Sequence, residues 1–341
     1  MRYPKSLKPG GTIGYAAPSF GVAVEPYFSA FQNALAVFRR MGYGQEIGPN
    51  VYKNEGIGKS ASAEDCGREL TEMYLSQSND VLLSVGGGET MCEDLPFVDF
   101  EAIRKAPPKW YMGYSDNTNF TFLLPTLADT AAVYGPCASA FGMDPWHKAL
   151  HDAMELLTGT RSFVESYDGW EKESLKCEPS PLEPYHITEP NAMRFGDWDG
   201  TPFEGRLLGG CLDCLANLCG TRFDRVNEFN ERYKNDGILW FLESCDLNVY
   251  GIRRALFELR EAGWFCHARG FLIGRPLVMG QELFGLNQYN AVTDMLSDFG
   301  VPILMDLDIG HLPPMMPLIS GGYAKVLRTE AGGLRIEYLP R

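Results

Sequence analysis

Short apolar runs alternate with helix-forming segments along most of this chain, and that alternation limits the folds it can adopt. Residues 12–17, 81–85 and 109–113 have the length and composition of buried strands. Between the first two, residues 26–41 place apolar side chains at helical spacing, and Gly42 provides a natural C-terminal stop. Strands that alternate with helices predict an α/β fold, built on a mostly parallel sheet with helices on both faces.

The alternation is interrupted once and then resumes. Residues 161–200 form a proline-rich, acidic segment that we interpret as a linker and active-site loop, because long irregular segments in compact proteins are usually functional. The segment separates an N-terminal domain at 1–160 from a C-terminal domain at 201–341, in which Gly209 and Gly210 predict a tight turn into a helix. Two domains agree with a length of 341 residues, since a domain has about 150.

Two tryptophans lie within the proline-rich segment, Trp170 and Trp198. Each could pin the segment to the body of the protein through its large apolar ring. Each could equally face a substrate, which makes both candidates for a substrate loop. The sequence leaves the two interpretations open.

The charge balance excludes several classes of partner. Thirty basic and 44 acidic residues give a net charge of -14, whereas a nucleic-acid binder needs a basic footprint and an anionic membrane surface would repel the chain. The N-terminal residues lack the apolar core of a signal peptide, and no apolar run is long enough for a membrane span. The nine cysteines, an odd number, are most simply reduced thiols. We therefore expect a cytoplasmic protein without nucleic-acid or membrane partners.

A serine stands at a predicted strand-to-helix turn. The segment Gly113-Tyr114-Ser115-Asp116 is half of the G-x-S-x-G nucleophile elbow, with Asn117 in place of the second glycine. Such a sharp turn lifts the serine oxygen above the sheet and points the next backbone N–H, that of Asp116, into the same space. An ordinary structural turn can have the same pattern, so the motif alone does not decide between the two.

A serine nucleophile needs a histidine base and a carboxylate that orients the base. His311 follows a predicted buried strand and a glycine, and the proline-rich stretch after it would restrict its backbone. Glu243 ends another apolar strand. Both residues, like Ser115, lie at the carboxyl ends of strands, where open parallel sheets bind their ligands. The sequence therefore favours a Ser–Glu–His triad, although His311 alone could be an exposed loop residue.

Other pairs of chemistry-bearing residues give weaker signals. His147 and His151 lie four residues apart on one helix face and could form half of a metal site, but no third ligand is evident. Cys211 and Cys214 have C-x-x-C spacing without a second pair, so packing is favoured over a redox role. We expect neither a metal nor a cofactor.

Several longer motifs occur in a fixed order along nearly the whole chain. They are LKPGGTIG at 7–14 with APS at 17–19, SVGG at 84–87, GYSD at 113–116, GRLLGG at 205–210, LE at 242–243, and GH at 310–311 with Pro314 and Pro317. In this combination the sequence resembles the LD-carboxypeptidase family of serine peptidases, which includes the microcin-immunity peptidases. The ordered set is far more specific than any one of its parts.

The resemblance implies a flavodoxin- or amidotransferase-like N-terminal domain with a parallel sheet, a smaller C-terminal α/β domain, and an active site between them. It implies that Ser115 attacks an amide while His311 transfers the proton and Glu243 orients His311. The backbone N–H groups of Gly87 and Asp116 would form the oxyanion hole. The resemblance also implies catalysis without metal or cofactor, and a homodimer.

Three functions remain open at this stage. The first is an LD-carboxypeptidase that removes the terminal D-alanine of a murein tetrapeptide, as peptidoglycan-processing members of the family do. The second is a microcin-immunity hydrolase that cleaves an aminoacyl- or peptidyl-nucleotide amide. The aromatic residues of the long loop favour this substrate. The third is a catalytically silent sugar- or nucleotide-binding protein that reuses the fold.

Overall fold

A computed structural model describes residues 1–340 and shows two α/β lobes. The strands are β1 (Thr12–Ala16), β2 (Gly44–Ile47), β3 (Val81–Ser84), β4 (Trp110–Gly113), β5 (Ala132–Tyr134), β6 (Phe163–Glu165), β7 (Gly169–Glu171), β8 (Ile187–Pro190), β9 (Phe203–Cys211), β10 (Ile238–Glu243), β11 (Ala268–Gly274), β12 (Glu282–Leu283), β13 (Leu286–Asn287), β14 (Ile303–Leu307), β15 (Leu318–Ser320), β16 (Tyr323–Arg328) and β17 (Leu334–Tyr338). The α-helices are α1 (Tyr27–Arg40), α2 (Ala63–Leu75), α3 (Phe100–Lys105), α4 (Thr118–Thr121), α5 (Leu123–Ala128), α6 (Lys148–Thr158), α7 (Leu212–Leu218), α8 (Val226–Tyr233), α9 (Val249–Glu261) and α10 (Gln288–Leu296).

Two large sheets organise the lobes. The first has the order β15-β5-β4-β3-β1-β2 and is parallel except for β15. The second has the order β14-β11-β10-β9-β16-β17-β6, with a parallel half from β14 to β9 and an antiparallel half from β16 to β6. This confirms the expected α/β class, its parallel sheets and its two-domain arrangement.

The helices form where the sequence predicts an apolar face. In α1, Phe31 and Phe38 are fully buried against the first sheet, and in α2 the Ser62 side chain accepts a hydrogen bond from the Asp65 N–H at the N-terminus. The apolar cluster around Phe31 also contains Phe241 and Leu207 of the second lobe. The two lobes thus share one buried core, which fixes their relative position. No helix among residues 1–340 is both long and apolar enough to cross a membrane.

The structure departs from the expected domain boundaries at two strands. Within 161–200, β6 is an edge strand of the second sheet, and β7 pairs with β8, so this segment is not simply a linker. In the C-terminal part, β15 leaves its own lobe and pairs with β5 of the first sheet. Each lobe therefore receives one strand from outside the range that the sequence assigned to it.

The predicted tight turn at Gly209 and Gly210 is wrong, because both residues lie inside strand β9. They pair with Phe241 and Leu242 of the neighbouring strand β10. A Cβ atom at Gly209 would collide with the carbonyl oxygen of Phe241. The glycine is needed for close approach of two strands and not for a change of chain direction.

Candidate active site

Ser115 lies at the carboxyl end of strand β4, at the start of a sharp turn toward α4. Its backbone has a φ of 64°, a conformation that residues other than glycine rarely adopt. Strained turns of this kind hold the nucleophile of many hydrolases above the sheet. The structure therefore gives the G-x-S motif the geometry of an elbow and not that of an ordinary turn.

The structure brings Ser115, His311 and Glu243 together from three separate strand ends. The His311 Nε2 atom lies 2.8 Å from Ser115 Oγ, and its Nδ1 atom lies 2.9 Å from Glu243 Oε2. Glu243 is the last residue of β10 and is buried, whereas His311 follows β14 and remains partly exposed. Both distances are those of hydrogen bonds, so the three side chains form a continuous chain from the carboxylate to the hydroxyl.

The environment of His311 favours its protonated form. Burial alone would lower the pKa of His311, but the Glu243 carboxylate and the Cys245 thiol beside it hold that pKa well above its usual value. Burial would raise the pKa of Glu243, yet the imidazole and the hydrogen bonds around the carboxylate lower it. An imidazolium is thus well stabilised here, as a base that must carry a proton in a transition state requires.

Tyr134 connects two members of this arrangement and was not singled out from the sequence. Its hydroxyl donates a 2.5 Å hydrogen bond to Glu243 Oε1 and accepts one of 3.1 Å from the Ser115 backbone N–H. The side chain is fully buried at the end of β5, where the register places it opposite Gly113. Only that register shows the connection, because an apolar strand ending in tyrosine is otherwise unremarkable in sequence.

The turn after β3 lies directly against the nucleophile. A Cβ atom at Gly87 would be 3.2 Å from the Ser115 Cβ and 3.3 Å from its Oγ, which is a crowded approach. Two side chains next to Ser115 tie this turn in place: Asn117 donates to the Gly86 carbonyl at 2.9 Å, and Asp116 accepts from the Met91 N–H at 2.9 Å. The backbone of the glycine turn is thereby held beside the serine.

A cavity of about 530 Å³ opens beside Ser115. Its walls are mainly apolar and aromatic, with Phe20 and Tyr27 on one side and Tyr114 near the triad. The proline-rich segment contributes Lys176 and Tyr185 to the same cavity. A cavity of this size that borders the nucleophile can hold one side of a small substrate.

Neither tryptophan of that segment lines this cavity. Trp170 is 7% exposed and lies in β7, with its ring 5.4 Å from the guanidinium carbon of Arg275. Trp198 packs against Phe195 and Phe203 and donates to a nearby backbone carbonyl. In this segment the residues that line the cavity beside Ser115 are thus Lys176 and Tyr185, and the contacts of the two indole rings agree with the anchoring interpretation.

The two histidines considered for metal binding have local partners. His147 caps the N-terminus of α6, where its Nδ1 accepts a hydrogen bond from the Ala149 N–H, and His151 packs edge-on against Trp146. Within residues 1–340, no group of three His, Cys, Asp or Glu side chains is placed to hold a metal ion. All nine cysteines are free thiols.

Comparison with known families agrees with this geometry. The family model for the LD-carboxypeptidase N-terminal domain matches residues 13–135, and the model for the C-terminal domain matches residues 204–326. The chain belongs to the LD-carboxypeptidase family. The resemblance inferred from the ordered motifs is confirmed.

Members of the family resemble the chain over almost its whole length. The probable murein peptide carboxypeptidase of Bacillus subtilis is 26% identical over 330 residues, which cover 96% of this chain and 92% of that protein. The microcin C7 self-immunity protein MccF of Escherichia coli is 25% identical over 322 residues, which cover 92% and 90%. A solved structure of MccF in complex with glutamyl sulfamoyl guanosine matches with a TM-score of 0.83 at 21% identity, over 99% of both chains. The whole fold is shared with this family.

Proposed function

We propose that this protein is a serine peptidase that hydrolyses an amide bond, with Ser115 as nucleophile, His311 as general base and Glu243 as the carboxylate that orients it. The observation that carries the proposal is the chain of hydrogen bonds from Glu243 through His311 to Ser115, at 2.9 and 2.8 Å. Ser115, at the end of these hydrogen bonds, lines a cavity large enough for part of a substrate. Membership of the LD-carboxypeptidase family supports the same activity.

In this mechanism, Ser115 Oγ attacks the carbonyl carbon of the amide while His311 Nε2 accepts the hydroxyl proton. Glu243 stabilises the imidazolium that forms, and Tyr134 holds the Glu243 carboxylate in place. The N–H groups of Gly87 and Asp116 donate to the oxyanion of the tetrahedral intermediate. His311 then gives its proton to the leaving amine, and a water molecule hydrolyses the acyl-enzyme by the same steps in reverse order.

As the substrate we propose a peptide that ends in D-alanine, such as a murein tetrapeptide. A carboxypeptidase releases a residue that carries a free carboxylate, and a cationic group near the nucleophile would favour its binding. Lys176 supplies such a group in the cavity beside Ser115. The murein peptide carboxypeptidase named among the relatives supports this choice.

The second candidate is hydrolysis of an aminoacyl-nucleotide amide. It is favoured by the aromatic walls of the same cavity, where Phe20, Tyr27 and Tyr185 could stack on a base. The microcin C7 self-immunity protein among the relatives supports it. Stacking is worth about 1–3 kcal/mol per base, which is enough to matter for affinity.

A side-by-side assay tests the activity and separates the two substrates. Purified protein is given an L,D-tetrapeptide and an aminoacyl-nucleotide amide, and released D-alanine and free nucleotide are measured. We expect D-alanine from the wild type, no product from Ser115→Ala, and wild-type rates from Ser78→Ala, since Ser78 is an exposed serine outside the site. Nucleotide release alone would favour the second candidate. Equal activity of Ser115→Ala would refute the nucleophile, and an inert wild type would refute both substrates.

A further inference from the structure

A buried ion pair holds the loop that carries His311. This loop, called here the His311 loop, spans residues 308–316 and is closed by the Met316 N–H, which donates to the Asp308 carbonyl at 2.6 Å. The Asp308 carboxylate and the Arg275 guanidinium are both almost fully buried, and their charged atoms lie 2.6 Å apart. Arg275 directly follows β11, so the pair joins the end of a strand in the second sheet to the start of the loop.

The Arg275 guanidinium bonds to the loop on both sides of the histidine. Its Nη2 donates to the Asp308 carboxylate at 2.6 Å and to the carbonyl of Leu312, the residue after His311, at 3.4 Å. Its Nη1 donates to the Asp306 carbonyl at 3.1 Å. A guanidinium can make such a set of bonds because its donors form a rigid, planar fork. His311 therefore lies between two points that are bonded to one planar group.

Stability alone is a poor reason for a buried ion pair. Removing two charges from water is costly, and well-packed apolar side chains often replace such a pair without loss of stability. The Nε atom of Arg275 adds to the cost, because it is buried and has no hydrogen-bond partner within residues 1–340. A buried pair can instead fix one geometry. The nearest group along the chain whose geometry matters for catalysis is His311.

The carboxylate of Asp308 is itself held on its other side. Its Oδ2 accepts hydrogen bonds from the Tyr167 N–H at 2.8 Å and from the Asn191 side chain at 2.9 Å. The Glu171 N–H also donates to the Pro313 carbonyl of the His311 loop, at 2.7 Å. These donors belong to β7 or to the residues just before β7 and just after β8. A side chain that positions another must be fixed by its own neighbours, and Asp308 meets this condition.

We propose that Asp308, held by Arg275, is a positioning residue that keeps His311 in place for catalysis. The two side chains act through the backbone of the His311 loop. The inference rests on the proposed peptidase function, in which His311 Nε2 must stay within hydrogen-bond distance of Ser115 Oγ. A displacement of about 1 Å between reacting groups can lower a rate by as much as about 100-fold.

The pH dependence of kcat/KM reports on the placement of His311. Glu243 and Cys245 hold the pKa of His311 high, and Glu89 also interacts with its charge. A displaced imidazole loses part of its contact with Glu243, so its pKa falls and the acid limb of the profile moves to lower pH. A general loss of stability does not move this limb.

Asp308→Asn tests the pair with a side chain of nearly the same shape. The change leaves the Arg275 charge buried without its partner, so the urea midpoint of unfolding should fall. On an L,D-tetrapeptide, kcat should fall about 10- to 100-fold. The acid limb should move to lower pH by roughly half a unit or more. Wild-type kcat with an unmoved limb would refute the inference.

The double variant Arg275→Met/Asp308→Asn separates positioning from the cost of a buried charge. It removes both charges, so no unpaired cation remains and the net charge is that of the wild type. The urea midpoint should therefore recover relative to Asp308→Asn. The values of kcat and of the acid limb should stay displaced, because the bond from position 275 to the Leu312 carbonyl is still missing. Their recovery together with the urea midpoint would refute the positioning role.

A second ion pair with a buried arginine provides the matched control. Arg206 pairs with Asp236, and it lies opposite Ile238 at the start of β10, whereas Glu243 is at the end of that strand. Asp236→Asn should lower the urea midpoint but leave kcat and the acid limb at the wild-type values. An equal shift of the acid limb in Asp236→Asn and Asp308→Asn would refute the inference.

A direct measurement on His311 does not depend on turnover. The chain has five histidines, so ring signals of protein labelled with ¹⁵N-histidine can be followed by NMR, and His311→Gln identifies the signal of His311. Its titration midpoint should fall in Asp308→Asn and in the double variant, and stay in place in Asp236→Asn. A wild type that does not cleave the tetrapeptide would refute the proposed substrate, and these midpoints would still support the inference. An unchanged midpoint in the double variant would refute it, whatever the activity.

Discussion

Removal of a single hydroxyl group from Tyr134 is expected to weaken both the fold and the catalytic arrangement. In Tyr134→Phe, Glu243 loses a 2.5 Å hydrogen bond and the Ser115 N–H loses its acceptor at 3.1 Å. A hydrogen bond to a charged group contributes about 1.5–3 kcal/mol and a neutral one about 0.5–1.5 kcal/mol. The free energy of unfolding should therefore fall by about 2–4 kcal/mol. Urea denaturation followed by circular dichroism measures this change.

The chain offers a matched control in Tyr15. Both tyrosines are fully buried, but the Tyr15 hydroxyl has no hydrogen-bond partner within residues 1–340. Tyr15→Phe removes the same atom without a lost bond, so stability should be unchanged or slightly increased. Equal destabilisation of both variants would refute the reasoning, because it would show that the loss comes from packing and not from the two hydrogen bonds.

The same Tyr134→Phe change should also move the pH dependence of kcat/KM. Without the tyrosine donor, the Glu243 carboxylate keeps more of its charge toward His311 and raises the pKa of the imidazole further. His311 must be neutral to act as a base, so activity appears as pH rises through that pKa. The acid limb of the profile should therefore shift to higher pH, whereas Tyr15→Phe should leave it in place.

Four further changes have defined outcomes. Ser115→Gly should abolish turnover, because it removes the nucleophile. It should still raise the free energy of unfolding by about 1 kcal/mol relative to Ser115→Ala, because glycine tolerates the φ of 64° without strain. Activity assays and calorimetry measure the two effects. Glu243→Gln should lower kcat on the order of 10⁴-fold. It should also move the acid limb of the pH profile of kcat/KM to lower pH, because the raised pKa of His311 depends on the Glu243 carboxylate. An unchanged acid limb would contradict the role of Glu243 as the partner of His311. Gly87→Ala should reduce kcat at least tenfold with little change in KM, because the new Cβ crowds Ser115 at 3.2 Å. Trp170→Ala should lower the thermal midpoint but change kcat/KM on the tetrapeptide and the nucleotide amide equally, since its ring is buried outside the cavity.

The general rules of parallel sheets made much of the site predictable. Ser115, Glu243 and His311 were visible because each lies at or just after the carboxyl end of an apolar strand, where open parallel sheets bind their ligands. That these strand ends belong to two different sheets was not visible. Tyr134 was not visible, because its bonds depend on the register that sets it opposite Gly113. Periodicity reveals that a strand exists and does not reveal its neighbours.

One prediction failed for a physical reason that sequence patterns do not contain. Gly209 was predicted to be a turn residue, but it lies within a strand, and glycine is needed there because the adjacent strand leaves no room for a Cβ. The sequence left open whether the tryptophans anchor their segment or contact a substrate, and the partner of Trp170, Arg275, is too distant in sequence to be inferred from a local pattern. Strand β15 is only three residues long and pairs with a strand of the other lobe. A local sequence pattern therefore could not predict its pairing.

The position of β15 has a mechanical consequence for the triad. His311 lies between β14, in the sheet that contains Glu243, and β15, which is bonded into the same sheet as the strand that precedes Ser115. The segment that carries the base is therefore anchored to one sheet at each end. Both hydrogen bonds of His311 consequently depend on how the two sheets pack, and a substitution in the core that the lobes share should loosen the contacts with Ser115 and Glu243 together.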